Sequence, residues 1–335
     1  MMRWIQFPDE RFEVNGLYWW EETTPELIRL PGRMKDIVRE PIWNLAQAPS
    51  GGRIRFATNS TSLAIRLHFP TLDHMNNMPR TGQMGVSLYV DGEYWQVIIP
   101  HEEHDCEGVF FEDMPPVKRE ICLYLGLYAP VEVQVIGLDE NADIESPEPF
   151  AMEKPILYYG SSITQGGCAS RSGLNYQALL NRRLNVDYVN LGFSGQGIGE
   201  PEVADAVAEV DASCFVMDFC QNCRTAQMLD DVYAPFLQTI RDSHPDTPIV
   251  CITPIFSASE IWGDGQRLAD MREVIRNAVA DRCQMDDDNI YVVEGYGMLG
   301  PDDREGLVDA THPNDVGFRS MADGLEPVLR SVLGL

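Results

Sequence analysis

The chain has 335 residues, enough for two domains or one large one, and 44% of them are hydrophobic, which is sufficient for a packed core. Its 25 basic and 52 acidic residues give a net charge of −27, so we expect neither a nucleic-acid partner nor an anionic membrane surface. No apolar run approaches the roughly 18 residues of a membrane span, and the N-terminus shows no apolar signal-peptide core, which predicts a cytoplasmic protein unless a leader has been trimmed.

Residues 1–145 are predicted to form an all-β domain. Short apolar stretches alternate with polar residues at a period of two, and Asp91 with Gly92 between two of them is a strong hairpin signal. The candidate strands are 53–69, 85–90, 94–99, 120–127 and 131–138. Short strands at regular spacing, without helical periodicity, indicate a β-sandwich, and we expect it to be of the jelly-roll type.

The second half of the chain has a different pattern. An acidic, proline-containing segment, 146–155, is predicted as a linker, and strands alternate with helices over 156–335. The candidate strands are 156–159, 186–191, 213–219, 248–253 and 290–293, and the candidate helices are about 173–184, 200–209, 226–243, 265–281 and 317–333. This alternation predicts an α/β fold with a five-stranded parallel sheet, helices on both faces and ligands at the carboxyl ends of the strands.

Two short segments carry the residue types of nucleophilic catalysis. Ser162 follows the first predicted strand of the second half, on a turn into a helix, where its hydroxyl is accessible and helix N–H groups can face a developing oxyanion. Asp309 and His312 are three residues apart near the C-terminus, a spacing that lets a carboxylate orient an imidazole while the imidazole reaches a serine. Together these residues indicate acyl transfer by a serine nucleophile.

Four segments in the second half, 160–164, 190–195, 220–223 and 309–312, resemble in their order the sequence blocks of the SGNH (GDSL-type) hydrolase family. The first has Ser161 where the family has Asp, and the third has cysteines where the family has Gly and Asp. Residues 84–89 resemble a variant of the Gly-x-Asp-Leu-Tyr signature of one N-terminal module of two-domain SGNH esterases, with Ser87 in place of Asp.

The resemblance implies a three-layer α/β/α flavodoxin-like catalytic domain at 156–335, with Ser162, His312 and Asp309 as a triad. It also implies an oxyanion hole made by Ser162, Gly195 and Asn222. The expected reaction is hydrolysis of short acyl esters, acetyl preferred, on a small molecule or oligosaccharide, with no cofactor and no metal. The alternatives are a lipid or thioester acylhydrolase, and a non-catalytic carbohydrate-binding protein with a degenerate hydrolase domain. The oligomeric state stays undefined.

Each proposed site residue also has a structural alternative. Ser162 can be a helix N-cap, and Asp309 a helix or loop cap beside a Ser-His dyad. His312 can be a core or surface histidine. Gly195 can be a turn glycine and Asn222 an Asx-turn residue.

Two further residues are candidates for substrate binding. Arg171 can bind a polar substrate group or form a structural ion pair, and Trp262, in the loop after the fourth strand, can stack on a sugar ring or pack internally. Cys220 and Cys223 have the C-x-x-C form without a second metal-binding pair, and residues 101–105 combine two His with three acids in a predicted solvated loop. A metal site is the disfavoured interpretation of both segments.

Overall fold

The computed structural model describes residues 2–263 and 265–335, and the chain divides into two compact units. The first unit comprises Met1–Met34, Asn44–Phe150 and Ser170–Gly173, and the second comprises Lys35–Trp43, Ala151–Ala169 and Leu174–Leu335. Each unit therefore includes a short segment from the other half of the sequence. Whether 1–145 and 156–335 are separately folding domains joined by a linker at 146–155 stays a prediction.

The first unit is rich in antiparallel strands. Its strands are β1 (Met2–Gln6), β2 (Glu13–Asn15), β3 (Arg53–Thr58), β4 (Leu63–His68), β5 (Val86–Val90), β6 (Glu93–Ile98), β7 (Asp105–Phe111), β8 (Arg119–Tyr124), β9 (Glu132–Asp139) and β10 (Ile144–Glu145). Short helices lie between them: α1 (Trp20–Thr23), a 3₁₀ turn at Gly32–Met34, α2 (Glu40–Ala46), which starts in the second unit's segment, and α3 (Arg80–Gln83).

These strands form two sheets around one core. One sheet has the order β1-β9-β4-β7, and the other has the order β10-β3-β8-β5-β6 with β2 added beside β3. Alternate side chains of both sheets, such as Ile65 and Leu67 from one and Phe56 and Leu123 from the other, belong to a single buried cluster. The predicted β-sandwich is therefore confirmed, because the period-two pattern places one face of each sheet inside. The finer jelly-roll topology stays a prediction.

The second unit alternates strands with helices. Its strands are β11 (Ile156–Gly160), β12 (Tyr188–Gly192), β13 (Cys214–Asp218), β14 (Ile249–Ile252) and β15 (Ile290–Val293). Its helices are α4 (Ser162–Gln165), α5 (Tyr176–Leu184), α6 (Pro201–Glu209), α7 (Ala226–Ser243), α8 (Ser259–Trp262), α9 (Gly265–Cys283) and α10 (Asp315–Leu333), with 3₁₀ turns at Gly295–Gly297 and Arg304–Gly306.

The five strands make one parallel sheet in the order β12-β11-β13-β14-β15. Every residue of β11, β12, β13 and β14 is buried, as expected for parallel strands covered on both faces. The predicted three-layer α/β fold is confirmed. The order reverses at β11, since β12 lies on one side of it and β13 on the other, and a crevice for ligands forms at such a point.

Four strands of the first unit, β1, β2, β7 and β10, have no counterpart among the predicted strands. β1 contains Arg3 and Gln6 and pairs with β9 from Met2↔Asp139 to Gln6↔Val135. β7 includes Asp105, and its first five residues alternate between exposed and partly buried before two buried ones end the strand. These strands are short or mix polar with apolar residues, and pairing with a neighbouring strand decides their conformation. Among the described residues, no helix is both long and apolar enough to cross a membrane.

Candidate active site

Ser162 lies on a tight turn between β11 and α4, and its side chain is only 8% exposed. Ser161, which precedes it, is the N-cap of α4, and its Oγ accepts the N–H of Ile163 at 3.2 Å. Gly160 ends the strand at a point where a Cβ would lie 2.0 Å from Oγ1 of Thr164, so only glycine fits. The cap is thus supplied by Ser161, which leaves the Ser162 hydroxyl for another partner.

That partner is His312, whose Nε2 lies 2.9 Å from Ser162 Oγ. The other ring nitrogen, Nδ1, lies 2.9 Å from Oδ2 and 3.1 Å from Oδ1 of Asp309. Oδ1 of Asp309 also accepts the backbone N–H groups of Thr311 and His312, each at 2.8 Å. The carboxylate therefore holds the imidazole ring and the backbone of the loop that carries it.

The loop itself closes on short contacts. The N–H of Val308 donates to the carbonyl of His312 at 2.8 Å, and Leu307 forms an isolated antiparallel bridge with Pro313. Asn314 caps α10, accepting the N–H groups of Val316 and Gly317 through Oδ1. Asp309 and His312 are consequently fixed relative to each other within one turn of chain just before α10.

This arrangement places a hydroxyl, an imidazole and a carboxylate in a continuous hydrogen-bonded line. A carboxylate on Nδ1 favours the tautomer with its proton there, so that Nε2 can accept the proton of Ser162 Oγ. The geometry is that of a serine nucleophile with its base and the group that orients the base. The individual roles stay predictions.

The loop after β12 leaves one backbone donor without an acceptor. Phe193 O accepts the N–H of Gly197 at 2.9 Å, and the N–H of Ser194 donates to the side chain of Gln165 at 2.9 Å. Gly195 has φ of +68°, and no atom lies within 4 Å of the position where its Cβ would be. No acceptor among the described residues meets its N–H, as also holds for the N–H groups of Ile198 and Glu200, so the Gly195 donor is available to a substrate oxygen.

Asn222 joins this loop to the one after β13. Its Nδ2 donates to Phe193 O at 3.1 Å, a contact between two loops and not an Asx turn within its own loop. An amide nitrogen carries two hydrogens, so one remains for a substrate oxygen. Asn222 and Gly195 therefore lie on loops that the Phe193 carbonyl brings together.

Comparison with known proteins decides the family. The sequence profile described as the GDSL-like lipase/acylhydrolase family matches residues 153–330, and that of the N-terminus of SGNH-hydrolase-type esterases (GxDLY) matches residues 2–144. The chain belongs to the GDSL-like acylhydrolases. The family predicted from the four sequence segments is thereby confirmed, and with it the enzyme class, the carboxylic ester hydrolases.

Solved structures of this acylhydrolase fold cover both units. A protein described as a GDSL-like lipase from Bacteroides ovatus is 30% identical with a TM-score of 0.90, over 100% of this chain and 98% of the other. The salicylyl-acyltransferase SsfX3 of a tetracycline biosynthetic pathway is 21% identical, TM-score 0.85, over 100% and 98%. A family two carbohydrate esterase from Clostridium thermocellum is 17% identical, TM-score 0.66, over 85% and 93%. A search of curated protein sequences gave no match.

One buried acid of this GDSL-like enzyme escaped the sequence analysis. Asp218 ends β13, is fully buried, and accepts hydrogen bonds through Oδ2 from Thr164 Oγ1 at 2.9 Å and Tyr176 OH at 3.1 Å. Its backbone carbonyl accepts the N–H of Ser161 at 3.3 Å. Burial raises the pKa of Asp218 to about 7, against the lowering effect of the two hydroxyl donors. Asp218 thus supports the turn that presents Ser162.

The two candidate substrate-binding residues have different surroundings. Trp262 ends α8, after β14, and is 72% exposed at the same sheet edge as Ser162. Arg171 belongs to the first unit, where its guanidinium lies 3.5 Å from the ring centroid of Tyr94 and donates to the hydroxyl of Tyr89. An aromatic cluster therefore holds Arg171, and substrate binding by either residue stays a prediction.

The cysteines of the third segment are both buried free thiols. Burial raises the pKa of Cys223 to about 12 and that of Cys220 well above its usual value. Such thiols are protonated at neutral pH and are poor nucleophiles or metal ligands. Over the described parts of the chain, which include 101–105, no group of three or more His, Cys, Asp or Glu side chains is placed to hold a metal ion.

Proposed function

We propose that this chain is a serine esterase that hydrolyses short acyl esters, acetyl esters in particular, on carbohydrates. The observation that carries the proposal is the continuous line from Ser162 Oγ to His312 Nε2 at 2.9 Å and from His312 Nδ1 to Asp309 Oδ2 at 2.9 Å. This line supports nucleophilic attack at neutral pH, because a hydroxyl is a weak nucleophile until a neighbouring base accepts its proton.

The reaction follows from these contacts. Ser162 Oγ attacks the ester carbonyl carbon while its proton passes to His312 Nε2, and Asp309 stabilises the imidazolium that forms. His312 then returns the proton to the leaving alcohol. Water, deprotonated by the same imidazole, cleaves the acyl-enzyme and restores the serine.

The charge that develops on the carbonyl oxygen needs donors already in place. The N–H of Gly195, the free hydrogen of the Asn222 amide and the backbone N–H of Ser162 are the proposed donors. The open surroundings of Gly195 support this assignment, since a substrate oxygen can approach its N–H closely. The bond from Asn222 to Phe193 O supports it too, because it keeps the amide at the edge of the same loop.

A cavity of 220 Å³ supports a short acyl group over a long one. Gln221 and Thr311, the neighbours of Asn222 and His312, contribute to its wall. The volume is below the roughly 300–1,000 Å³ of cavities that take drug-sized ligands, so an extended lipid chain has little room there. Neither this cavity nor the larger groove of 770 Å³ in the first unit is lined by a triad residue, but only the smaller one of the two is lined by sequence neighbours of Asn222 and His312.

Two observations support the carbohydrate part of the proposal. Trp262 offers an exposed aromatic face at the sheet edge where Ser162 lies, and such faces suit the apolar side of a sugar ring. Among the enzymes that share the fold, a family two carbohydrate esterase was solved with cellohexaose, and Est2A from Butyrivibrio proteoclasticus is described as an acetyl xylan esterase. These similarities support an oligosaccharide ester as the substrate.

The test compares three groups of substrates with the full chain. We expect hydrolysis of p-nitrophenyl acetate, release of acetate from at least one acetylated saccharide in a panel, and little turnover of p-nitrophenyl palmitate. Ser162→Ala serves as the inactive control. Rapid turnover of long-chain esters with none on acetylated saccharides would replace the carbohydrate substrate by a lipid. Absence of any esterase activity would instead support the non-catalytic alternative.

A further inference from the structure

The segment Lys35–Trp43 lies early in the sequence, yet it belongs to the unit that contains the triad. Val38 and Ile42, one helical turn apart, are buried, and the backbone carbonyl of Arg39 accepts the N–H of Ile42 at 2.9 Å as α2 begins. These contacts fix the backbone from which the Arg39 side chain extends. The Arg39 side chain is long enough to reach the loop after β12.

The guanidinium of Arg39 contacts two residues of the loop after β12. Nη1 donates to Gln196 Oε1 at 2.6 Å, and Nη2 donates to Gln196 O at 3.3 Å. Nε donates to Glu200 Oε1 at 2.8 Å, and Nη2 contacts the same oxygen. One planar group therefore connects the residue after Gly195 with the residue before α6, a task that suits the fork of donors on arginine.

Gly195 needs such external support. A residue at φ of +68° without a side chain depends on its neighbours for its orientation, and no atom outside its two chain neighbours lies within 4 Å of where its Cβ would be. The N–H groups of Gln196 and Gly197 close the turn by donating to Phe193 O at 3.0 and 2.9 Å. The preceding residue, Ser194, is held by Gln165 at 2.9 Å. The following residue, Gln196, is held by Arg39 through both its side chain and its carbonyl. The direction of the Gly195 N–H is thus set from both sides.

The carboxylate of Glu200 explains why a cation is present at this position. Its side chain is only 14% exposed, and within the described chain no donor reaches its Oε2. A carboxylate this far out of water needs a cation, in a protein whose net charge is −27. Without Arg39, Glu200 would turn toward solvent and pull the end of the loop with it.

We propose that Arg39 is a positioning residue for the oxyanion-binding N–H of Gly195, supplied to the active site by the segment Lys35–Trp43. The inference rests on the proposed function, in which Gly195 stabilises the oxyanion. Arg39 itself contacts neither substrate nor triad and acts by holding the loop at Gln196 and Glu200.

Arg39→Ala tests this inference in the full chain with p-nitrophenyl acetate. We expect kcat per titrated active serine to fall about 10-fold to 100-fold with KM within about twofold, because misplacing an oxyanion donor weakens only the transition state. The melting temperature should fall by no more than a few degrees, because the Arg39 side chain is 44% exposed and the unpaired Glu200 carboxylate can turn toward solvent. Arg39→Lys should be intermediate, because an ammonium cannot bridge Gln196 and Glu200 as a planar fork does.

Arg33→Ala is the matched control. Its side chain is 44% exposed, as that of Arg39 is, and it pairs with Glu22 in the first unit. Wild-type kcat for this control and reduced kcat for Arg39→Ala would support the inference. Three results for Arg39→Ala would overturn it: a wild-type kcat, a change confined to KM, or a lower yield of folded protein with a wild-type kcat per active serine.

A second variant keeps the test valid if Arg39→Ala does not fold. Arg39→Lys would then decide it, and a wild-type kcat for that variant would overturn the inference. Ser162→Ala separates the inference from the proposed function. Full activity of Ser162→Ala contradicts the proposed function itself. An inactive Ser162→Ala beside a fully active Arg39→Ala contradicts only the role of Arg39.

Discussion

The turn that presents Ser162 and the loop that carries Asp309 and His312 meet at one hydrogen bond but are built differently. Every residue of α4 is buried, and partners far away in the sequence hold the turn. The carbonyl of Thr164, for example, accepts the side-chain amides of Gln177 and Asn190, each at 2.7 Å. The side chains of His312 and Asp309 are 25% and 37% exposed, and their main contacts lie within a few residues.

Because of this difference, substitutions should affect the two regions in different ways. The serine turn depends on many buried hydrogen bonds, so changes at several distant positions should displace the nucleophile. The acid–base loop depends on one carboxylate that holds both the ring and the backbone of the loop. Substitutions in this loop should therefore affect proton transfer before they affect folding.

Replacing the nucleophile should have the largest effect of all. Ser162→Ala should lower ester turnover about 10⁴-fold or more, because it removes the hydroxyl that is hydrogen-bonded to His312 Nε2. Labelling with an organophosphonate, followed by peptide mapping, should place the adduct on Ser162. An adduct on Ser161, the cap of α4, or no adduct at all would contradict the assignment.

In the acid–base loop, Asp309→Asn should lower kcat about 10³-fold to 10⁴-fold, which is a smaller loss than we expect for His312→Ala. The asparagine oxygen can still accept the backbone N–H groups of Thr311 and His312, which turns its NH₂ group toward Nδ1. A donor at that place favours the tautomer in which Nε2 already carries the proton. Wild-type kcat would instead indicate a Ser-His dyad.

Asn222→Ala probes the contact between the loops that follow β12 and β13. We expect kcat to fall about 10²-fold to 10³-fold with little change in KM, because the amide binds the oxyanion more strongly than the ester oxygen. The melting temperature and kcat should be measured on the same preparation. A variant that is less stable but fully active would leave Asn222 with only its structural bond to Phe193 O.

The smallest effect on turnover, but a clear one on stability, is expected at Asp218. Its pKa is about 7 in the folded protein and near 3.8 for an ordinary Asp, so between these values the folded protein holds a proton that the unfolded chain has lost. The group therefore lowers stability as pH rises through this window, by about 4 kcal/mol in all.

Asp218→Asn removes this titration while its oxygen can still accept from Thr164 and Tyr176. The melting temperature of the variant, relative to wild type, should therefore rise by several degrees from pH 4 to pH 7.5. The exposed Asp205→Asn serves as the control and should show no such trend. A difference that stays constant with pH would mean that Asp218 is ionised in the folded protein throughout.

The sequence predicted the second unit well for a physical reason. Buried parallel strands are short apolar runs between amphipathic helices, and the five predicted strands agree with the observed ones to within about two residues at each end. The four motif segments follow strands or precede a helix, which is where the chain leaves the core and can bear function. Ser162, His312 and Asp309 could be brought together from the sequence alone.

Other parts could not be predicted, because their conformation depends on distant partners. The polar strand β1 is recognisable only beside β9. Asp218 at the end of an apolar strand was visible in the sequence, but nothing local showed that Thr164 and Tyr176 would surround it. Arg39 gave no signal at all, since its contacts lie more than 150 residues away.

Two short segments belong to the unit formed mainly by the other half of the sequence, and they constrain the order in which the protein can fold during synthesis. Residues 35–43 leave the ribosome well before the rest of their unit. More than a hundred further residues must be synthesised before the segments that they contact are available. Ser172, in turn, completes the first unit late, where its hydroxyl contacts Gly85, Ser87 and Tyr124. The first unit is therefore complete only after residues 151–169 of the second have been made, so the two units cannot be finished in simple succession during synthesis.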